Sequence, residues 1–275
     1  MVDLYKWKHF NPKCPSVLTL HNLNAWHQKT FKLRSNVFHS IDSKVASIYG
    51  QSILDKFEYI NIVNPTLEYS AFTYFENKKI LTIPFSYALP SRGPSHFKAP
   101  EFIVPGTVDE RRRDYMTLLD CFNILYQDYP EVRLTFLGKC DFEHNEKYLT
   151  TFKKRVATDL YNKMLKFAAF IICPSVLETH TVNTATEFYG KTKSPNIFDA
   201  IKYRKPLIVP DHLKIPKEFE ECSIKYKDAS DLFCLCEEYL KIPERLVALH
   251  HISHEAMKPF ELENIRKKLM IRLQK

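Results

Sequence analysis

Glycine is scarce in this chain, five residues in 275. Glycines this few mark places where the backbone needs them, because none is left over as loop filler. The scarcity excludes the glycine-rich phosphate loops: neither GxGxxG nor a Walker-type GxxxxGK[ST] occurs. No apolar run has the length required to cross a bilayer. The opening "MVDLYKWKHFNPK" has no apolar core of the signal-peptide kind. The seven cysteines contain no CxxC pair, and several lie inside apolar runs, as buried thiols in a reducing compartment do. His250, His251 and His254 lie close together on a helical segment with no set of acidic partners, so no metal ion is expected. Internal repeats and low-complexity tracts are also missing. These absences lead to the expectation of a cytoplasmic protein without a transmembrane span, with contact to the inner membrane face left open.

What is present is core material. Hydrophobic residues make up 45% and charged residues 26%, with 20 Phe and 15 Tyr, which is the composition of a globular chain. The net charge of +8 suits nucleic acid, an anionic membrane surface or a phosphorylated substrate, and selects none of them.

Hydrophobic patterning alternates between strand and helix. "SVLTL" (16–20), "YINIV" (59–63) and "KILTI" (79–83) read as strands. A helix is expected near 41–57, with Ser40 as cap and Ile41, Val45, Ile48 and Ser52 at helical spacing. A shorter helix is expected near 65–75 after Asn64 and Pro65. Residues 84–100, with four prolines and nothing periodic, read as a linker. The alternation then restarts: strands at 101–104, 132–138, 167–173, 206–210 and 222–226, helices at 112–128, 147–165, 196–204 and 229–241, and a helical tail from 243 whose end is basic and amphipathic. Strands separated by helices imply parallel sheets with covered faces.

Two stretches carry candidate chemistry. In "GTVDERRRDY" (106–115), three arginines stand where a strand ends and a helix begins. A helix start presents free N–H groups and the positive end of its dipole, and guanidinium groups add bidentate phosphate bonds. The alternative is a solvated helix start with no ligand. In "YGKTKSPNIFDAIKYRKPLIVP" (189–210), Lys191 and Lys193 precede a short helix bearing Asp199. That acid either accepts ribose hydroxyls or simply complements the helix dipole. In an open α/β sheet ligands sit beyond the carboxyl ends of the strands, where these two loops converge.

The second half resembles the donor-binding domain of GT-B glycosyltransferases, most closely the large retaining family of polysaccharide and lipid-linked sugar transferases. That family opens the domain with a strand, Gly, Arg, then a basic residue before a helix, and "VPGTVDERRRDY" is similar: Gly106 stands at the glycine and Arg113 at the phosphate-binding lysine. The sequence departs at Thr107, where the family has arginine, with Arg112 as the substitute. Asp199 matches the second acid of a Glu–seven residues–Glu motif, which holds the donor ribose. Lys191 stands at the first acid's place, and Glu187 is the nearest carboxylate. "VLTLHNLNAW" is similar to a strand end whose histidine, His21 here, faces the donor sugar.

The resemblance implies an α/β fold of two Rossmann-like units facing across a cleft, the first truncated: residues 1–90 on the acceptor side, 91–245 binding the donor, and a helical tail, 246–275, packing back toward the first. It implies transfer of a sugar from a nucleotide-diphosphate sugar to a glycan or lipid-linked acceptor, with retention and without a metal or cofactor. Gly106, Thr107, Arg112, Arg113, Lys193, Ser194, Pro195, Asn196, Ile197 and Asp199 would bind the donor, and His21 and Arg113 would act in catalysis. Only positions 1–16 precede the "VLTLHN" strand, where the family has several strand–helix units. A partner chain or a homodimer completing the first unit is therefore expected as an alternative to a shortened one. A weakened subunit dependent on that partner is one rival reading. The other is a basic nucleic-acid-binding module, against which stands the lack of any recognised nucleic-acid motif.

Overall fold

The computed structural model describes residues 13–20, 54–63, 75, 77–84, 86–91, 100–141, 145–180, 186–187 and 195–274. The chain divides into two compact units, Met1–Phe85 with Leu269–Lys275, and Ser86–Lys268. The helices expected near 41–57 and 65–75 lie almost wholly outside the described residues, as does His21.

The first unit has a three-stranded parallel sheet: β1 (Val17–Leu20), β2 (Tyr59–Ile62) and β3 (Lys79–Leu81), in that order. The central strand is buried along its whole length. Its one polar residue, Asn61, is satisfied: its carbonyl oxygen accepts from Ile83 N at 2.7 Å, and its amide donates towards Thr19 Oγ1 and Ile83 O, each at 3.4 Å. A buried amide so bonded costs little and ties β1, β2 and the segment after β3 together.

The second unit is larger. Its strands are β4 (Glu101–Pro105), β5 (Arg133–Lys139), β6 (Leu149–Phe152), β7 (Phe170–Ile172), β10 (Leu207–Pro210) and β11 (Ser223–Tyr226), while β8 (Thr179–His180) and β9 (Thr186–Glu187) form a separate antiparallel pair. The large sheet runs β11-β10-β7-β4-β5-β6, all parallel. Strand order reverses between β4 and β7, the doubly wound arrangement with a crevice at the switch point. The unit's helices are α1 (Tyr115–Asp128), α2 (Thr158–Phe167), α3 (Pro195–Tyr203), α4 (Ala229–Lys241) and α5 (Pro243–Ala256); α6 (Leu262–Leu273) follows, its residues from Leu269 grouped with the first unit.

The core is aromatic at its centre. Phe102 stacks on Phe170 and meets Phe122 edge-on, with both centroid distances 5.0 Å, so β4, β7 and α1 share one cluster. His250 of α5 donates from Nε2 to Ala169 O at 2.7 Å, and burial drives its ring down to about 3, so it is a neutral structural pin.

One expectation is corrected. Residues 147–165 are not one helix. The polar, threonine-rich run "LTTF" forms edge strand β6, half-buried and without a clean alternation, and the helix starts only at Thr158. Of the segment expected as a helical tail from 246, Leu246, Leu249, Met257 and Phe260 belong to the second unit's core, while Leu269–Lys275 group with the first unit.

Arg204 fixes how that segment attaches. It follows α3 with φ 54°, a left-handed conformation in a residue other than glycine. Its side chain is 4% exposed and donates to Leu89 O (2.8 Å), His254 O (3.2 Å) and Glu261 Oε1 (2.7 Å). His254 Nε2 donates to Ser91 O at 2.8 Å, and Ala88 N donates to Phe260 O at 2.8 Å. The segment 88–91 is thus stapled to α3, to α5 and to the turn before α6. The left-handed backbone costs about 1–2 kcal/mol, less than three bonds from a charged donor at roughly 1.5–3 kcal/mol each. Arg204→Gly, which relieves the backbone, is therefore expected to melt below the wild type along with Arg204→Ala. A glycine variant that melts higher would show that strain outweighs the staple.

Candidate functional site

The site begins with a close crossing of two backbones. β4 ends at Pro105, and Gly106 turns the chain with φ +92°, which glycine adopts without strain. The turn then passes over β5 at Gly138, where a Cβ would lie 2.2 Å from Gly106 O and 2.6 Å from Thr107 N. Gly106 N donates to Leu137 O at 3.0 Å and Val108 N to Lys139 O at 2.9 Å, so the loop stays laced to β5. Two glycines of five make this approach possible.

The three arginines that follow go three ways. Arg111 is exposed and grips Asp109 with Nε at 2.9 Å and Nη2 at 3.0 Å; this bonding holds the Asp109 carboxyl below its usual range. Arg112 is half-exposed and lies 3.7 Å from the same carboxylate. Arg113 turns inward and is 9% exposed. Its Nη1 donates to Pro105 O at 2.6 Å and towards Tyr115 OH at 3.4 Å, and its Nη2 donates to Asn196 Oδ1 at 3.1 Å. Every one of these acceptors is neutral, and among the described residues no carboxylate pairs with this guanidinium.

Helix α1 starts later than the charge pattern suggests. Arg113 is extended and forms an antiparallel bridge with Ser175, and Asp114 caps the helix by accepting from Thr117 N at 3.1 Å. The loop after β7 is thereby bonded to the loop after β4: Asp114 N donates to Pro174 O at 2.8 Å and Val176 N to Arg112 O at 3.1 Å. His212, which the sequence pattern did not flag, joins from beyond β10 by donating from Nε2 to Ser175 O at 2.9 Å. Its only signal was its place just after a strand's carboxyl end.

Helix α3 supplies the other wall. Asn196 is 1% exposed and donates to Ile172 O at 3.0 Å while accepting from Arg113, so one amide fixes the helix start to both β7 and the arginine. The Ile197 side chain packs in the core, which leaves only its backbone for any ligand. Pro195 is the first residue of the helix, and Lys193 and Ser194 lie outside the described residues. Thr107 is exposed at the turn, and its carbonyl faces Tyr115 OH at 3.4 Å.

Asp199 lies one turn along α3, and Tyr161 of α2 donates to its Oδ2 at 3.0 Å. Burial raises this carboxyl from 3.8 to about 6, opposed by the Tyr161 bond and by the charges of Lys202 and Arg113. Burial and the Asp199 charge push the Tyr161 phenol up, so it remains a donor. Tyr203 donates to Asn162 alongside, a second α2–α3 link. Among the described residues no group of three or more His, Cys, Asp or Glu is placed to hold a metal ion, and no helix is long and apolar enough to cross a membrane.

The Asp199 shift fixes a sign. The folded state holds this proton more tightly than the unfolded chain, so the contribution of Asp199 to stability is fully present below about 4 and is lost as pH rises to about 6. Asp199→Asn removes the titration and keeps an acceptor for Tyr161. Its melting temperature relative to wild type is expected to be more favourable at pH 7.5 than at pH 4.5. The reverse order would contradict a raised carboxyl.

Neither a protein-family model nor a curated protein sequence matches the chain. Solved structures do match in fold. The chain is similar to a structure of the GtfA/B complex (11% identity, TM-score 0.60, covering 84% of this chain and 48% of that one). It is similar to the pneumococcal O-GlcNAc transferase GtfA, solved with UDP and GlcNAc (14% identity, TM-score 0.59, 94% and 52%). A third match is sucrose-phosphate synthase from Thermosynechococcus elongatus (14% identity, TM-score 0.57, 94% and 67%). The chain spans about half the length of the first two. Its parallel sheets, crossing glycines and switch-point arginine are built on the GT-B glycosyltransferase fold.

Proposed function

We propose that the chain is a glycosyltransferase that binds a nucleotide-diphosphate sugar at the β4–β7 switch point and transfers the sugar, with retention and without a metal, to a glycan or lipid-linked acceptor. The observation that carries this reading is Arg113: a guanidinium buried at the switch point and bonded only to neutral oxygens. Burying a charge without a counter-charge is costly. The donor's diphosphate would supply that counter-charge, and the Arg113 Nε–H and one Nη2–H take no acceptor among the described residues. Exposed Arg112 and the free N–H groups at the start of α3 would bracket the same anion. As the bond from sugar to diphosphate breaks, negative charge grows on the leaving group, and a cation already fixed by Pro105, Tyr115 and Asn196 stabilises it without reorganising.

Asp199, with Tyr161 setting its orientation, would accept the ribose hydroxyls. His21, by the sequence resemblance, would position the sugar rather than act as an obligatory base. The GtfA structure with UDP and GlcNAc is consistent with this assignment of ligand class.

A second reading has its own support. The first unit has three described strands against six in the main sheet of the second, and matches cover about half of the longer chains, one of them in a complex. On that reading the chain binds the donor as a subunit and turns over only with a partner chain or a second copy that completes the acceptor side.

Nucleoside diphosphates and nucleotide sugars are expected to raise the melting temperature, since a ligand of the native state stabilises it. Calorimetry with the stabilising diphosphate should show Arg113→Ala losing about tenfold or more in affinity, the worth of one charge-assisted bond. Arg111→Ala should change little, because Arg111 is committed to Asp109. Arg113→Lys, which preserves the charge and the fold, should fall between. Equal losses at 111 and 113 would reduce the triplet to a diffuse basic patch. Diphosphate binding without turnover by the purified chain would select the subunit reading.

A further inference from the structure

Helices α2 and α3 are joined by two rungs. Tyr161 donates to Asp199 Oδ2 at 3.0 Å, and Tyr203 donates to Asn162 Oδ1. Asp199 and Tyr203 are four residues apart on α3 and share one of its faces. Tyr161 and Asn162 are neighbours near the start of α2, where Tyr161 N donates to Ala157 O at 2.9 Å. Asp199 therefore faces a tyrosine that the second rung helps to hold in place. The charge of Arg113 is felt at both residues, so the pair lies in the neighbourhood of the switch-point cation.

The tyrosine makes the two carboxylate oxygens unequal. Oδ2 already holds a phenol proton, whereas Oδ1 has no hydrogen-bond partner among the described residues. Lys202 acts on the carboxylate only through its field, with its ammonium 5.1 Å from the centre of the Tyr203 ring. A carboxylate oxygen has two lone-pair directions, so Oδ2 can accept a second donor. That donor shares the oxygen's charge with the phenol, and its bond is weaker. A donor to Oδ1 meets undivided charge and makes the full charge-assisted bond.

We propose that Tyr161 is a specificity-determining residue for the donor's ribose: by occupying Oδ2 it makes Asp199 read the two ribose hydroxyls unequally, one strongly at Oδ1 and the other weakly at the shared oxygen. The inference rests on the donor assignment made above. Its consequence is that the chain tolerates a nucleotide lacking one particular ribose hydroxyl and rejects a nucleotide lacking the other. Tolerance of the 2′-deoxy form extends the donor class to deoxyribonucleotide sugars. Tolerance of the 3′-deoxy form confines the class to ribonucleotides. Either asymmetry has the same cause, a carboxylate with one oxygen already engaged.

Calorimetry of the full chain with UDP, GDP and ADP, each beside its 2′-deoxy and 3′-deoxy forms, tests it. In whichever series binds, one deoxy form should bind about tenfold more weakly than the parent and the other within about twofold of it. Tyr161→Phe removes the phenol hydroxyl and keeps the ring and the Asn162 rung. It opens Oδ2, so both deoxy forms should then lose about tenfold against the parent. Asp199→Ala should bind the parent and both deoxy forms alike. Circular-dichroism melts check that each variant folds, and Tyr161→Phe alone carries the test if Asp199→Ala does not. Equal losses for the two deoxy forms in the wild type would overturn the proposal, as would no loss with either. So would a Tyr161→Phe variant that weakens all three ligands alike, which is what a tyrosine that merely braces α2 against α3 would give. A folded chain that binds no nucleoside diphosphate would overturn the donor reading itself, and this inference with it.

Discussion

A guanidinium buried without a carboxylate is held in place only because several neutral oxygens converge on it, and much of the second unit's geometry provides that convergence. Pro105 O is available because Gly106 turns the chain away at φ +92°. The turn can lie that low because Gly138 leaves room beneath it. Asn196 reaches the arginine because its amide is anchored on Ile172 O, which fixes the start of α3 against β7. A side chain on Gly138, a shift of α3 or a loss of the β7 loop would each move an oxygen away from the same cation.

The consequence is preorganisation. Arg113 is 9% exposed and bridged through its own backbone to Ser175, so its head group has little rotamer freedom left to lose when an anion arrives. Arg111 and Arg112 have the opposite character, solvated and gathered by Asp109. Three adjacent residues of one type thus divide into one fixed cation and two adaptable ones, and the division is made by the turn rather than by the residue type. A transition state that gains charge is stabilised most by the fixed one, since its dipoles and charge need not reorient.

Much of this was legible in the sequence, and the misses share a cause. Strands β4, β5, β7 and β10 are largely apolar runs because helices cover both faces of a parallel sheet, and such runs stand out. Edge strand β6 is half-buried on a polar, threonine-rich segment, so no periodicity announced it. The triplet at 111–113 was visible as charge, but which arginine points inward depends on the Gly106 turn and on Asn196, 83 positions away. Ile197 was expected to offer its backbone, and its side chain packs in the core. Tyr161 and His212 were missed because each acts through one tertiary contact, with Asp199 and with Ser175 O, that no local pattern encodes.

Asp199 shows how the two kinds of burial differ in purpose. Arg113 donates only to neutral acceptors, with the Asp199 carboxylate nearby but not bonded to it, and so favours the arrival of an anion. Asp199, one turn along α3, has a donor in Tyr161 and cationic neighbours in Lys202 and Arg113, yet burial still raises its carboxyl to about 6. Burial therefore outweighs the charges that would hold the proton off, and above pH 6 the folded chain carries a carboxylate that it stabilises poorly. A ligand offering two hydroxyl donors would relieve that cost, as an anion would relieve the cost at Arg113. Arg113, held by Asn196 at the start of α3, thus favours negative charge there, and Asp199 favours hydroxyl donors one turn later. On the proposed assignment a nucleoside diphosphate, with phosphates at one end and a ribose next to them, would meet both demands at once.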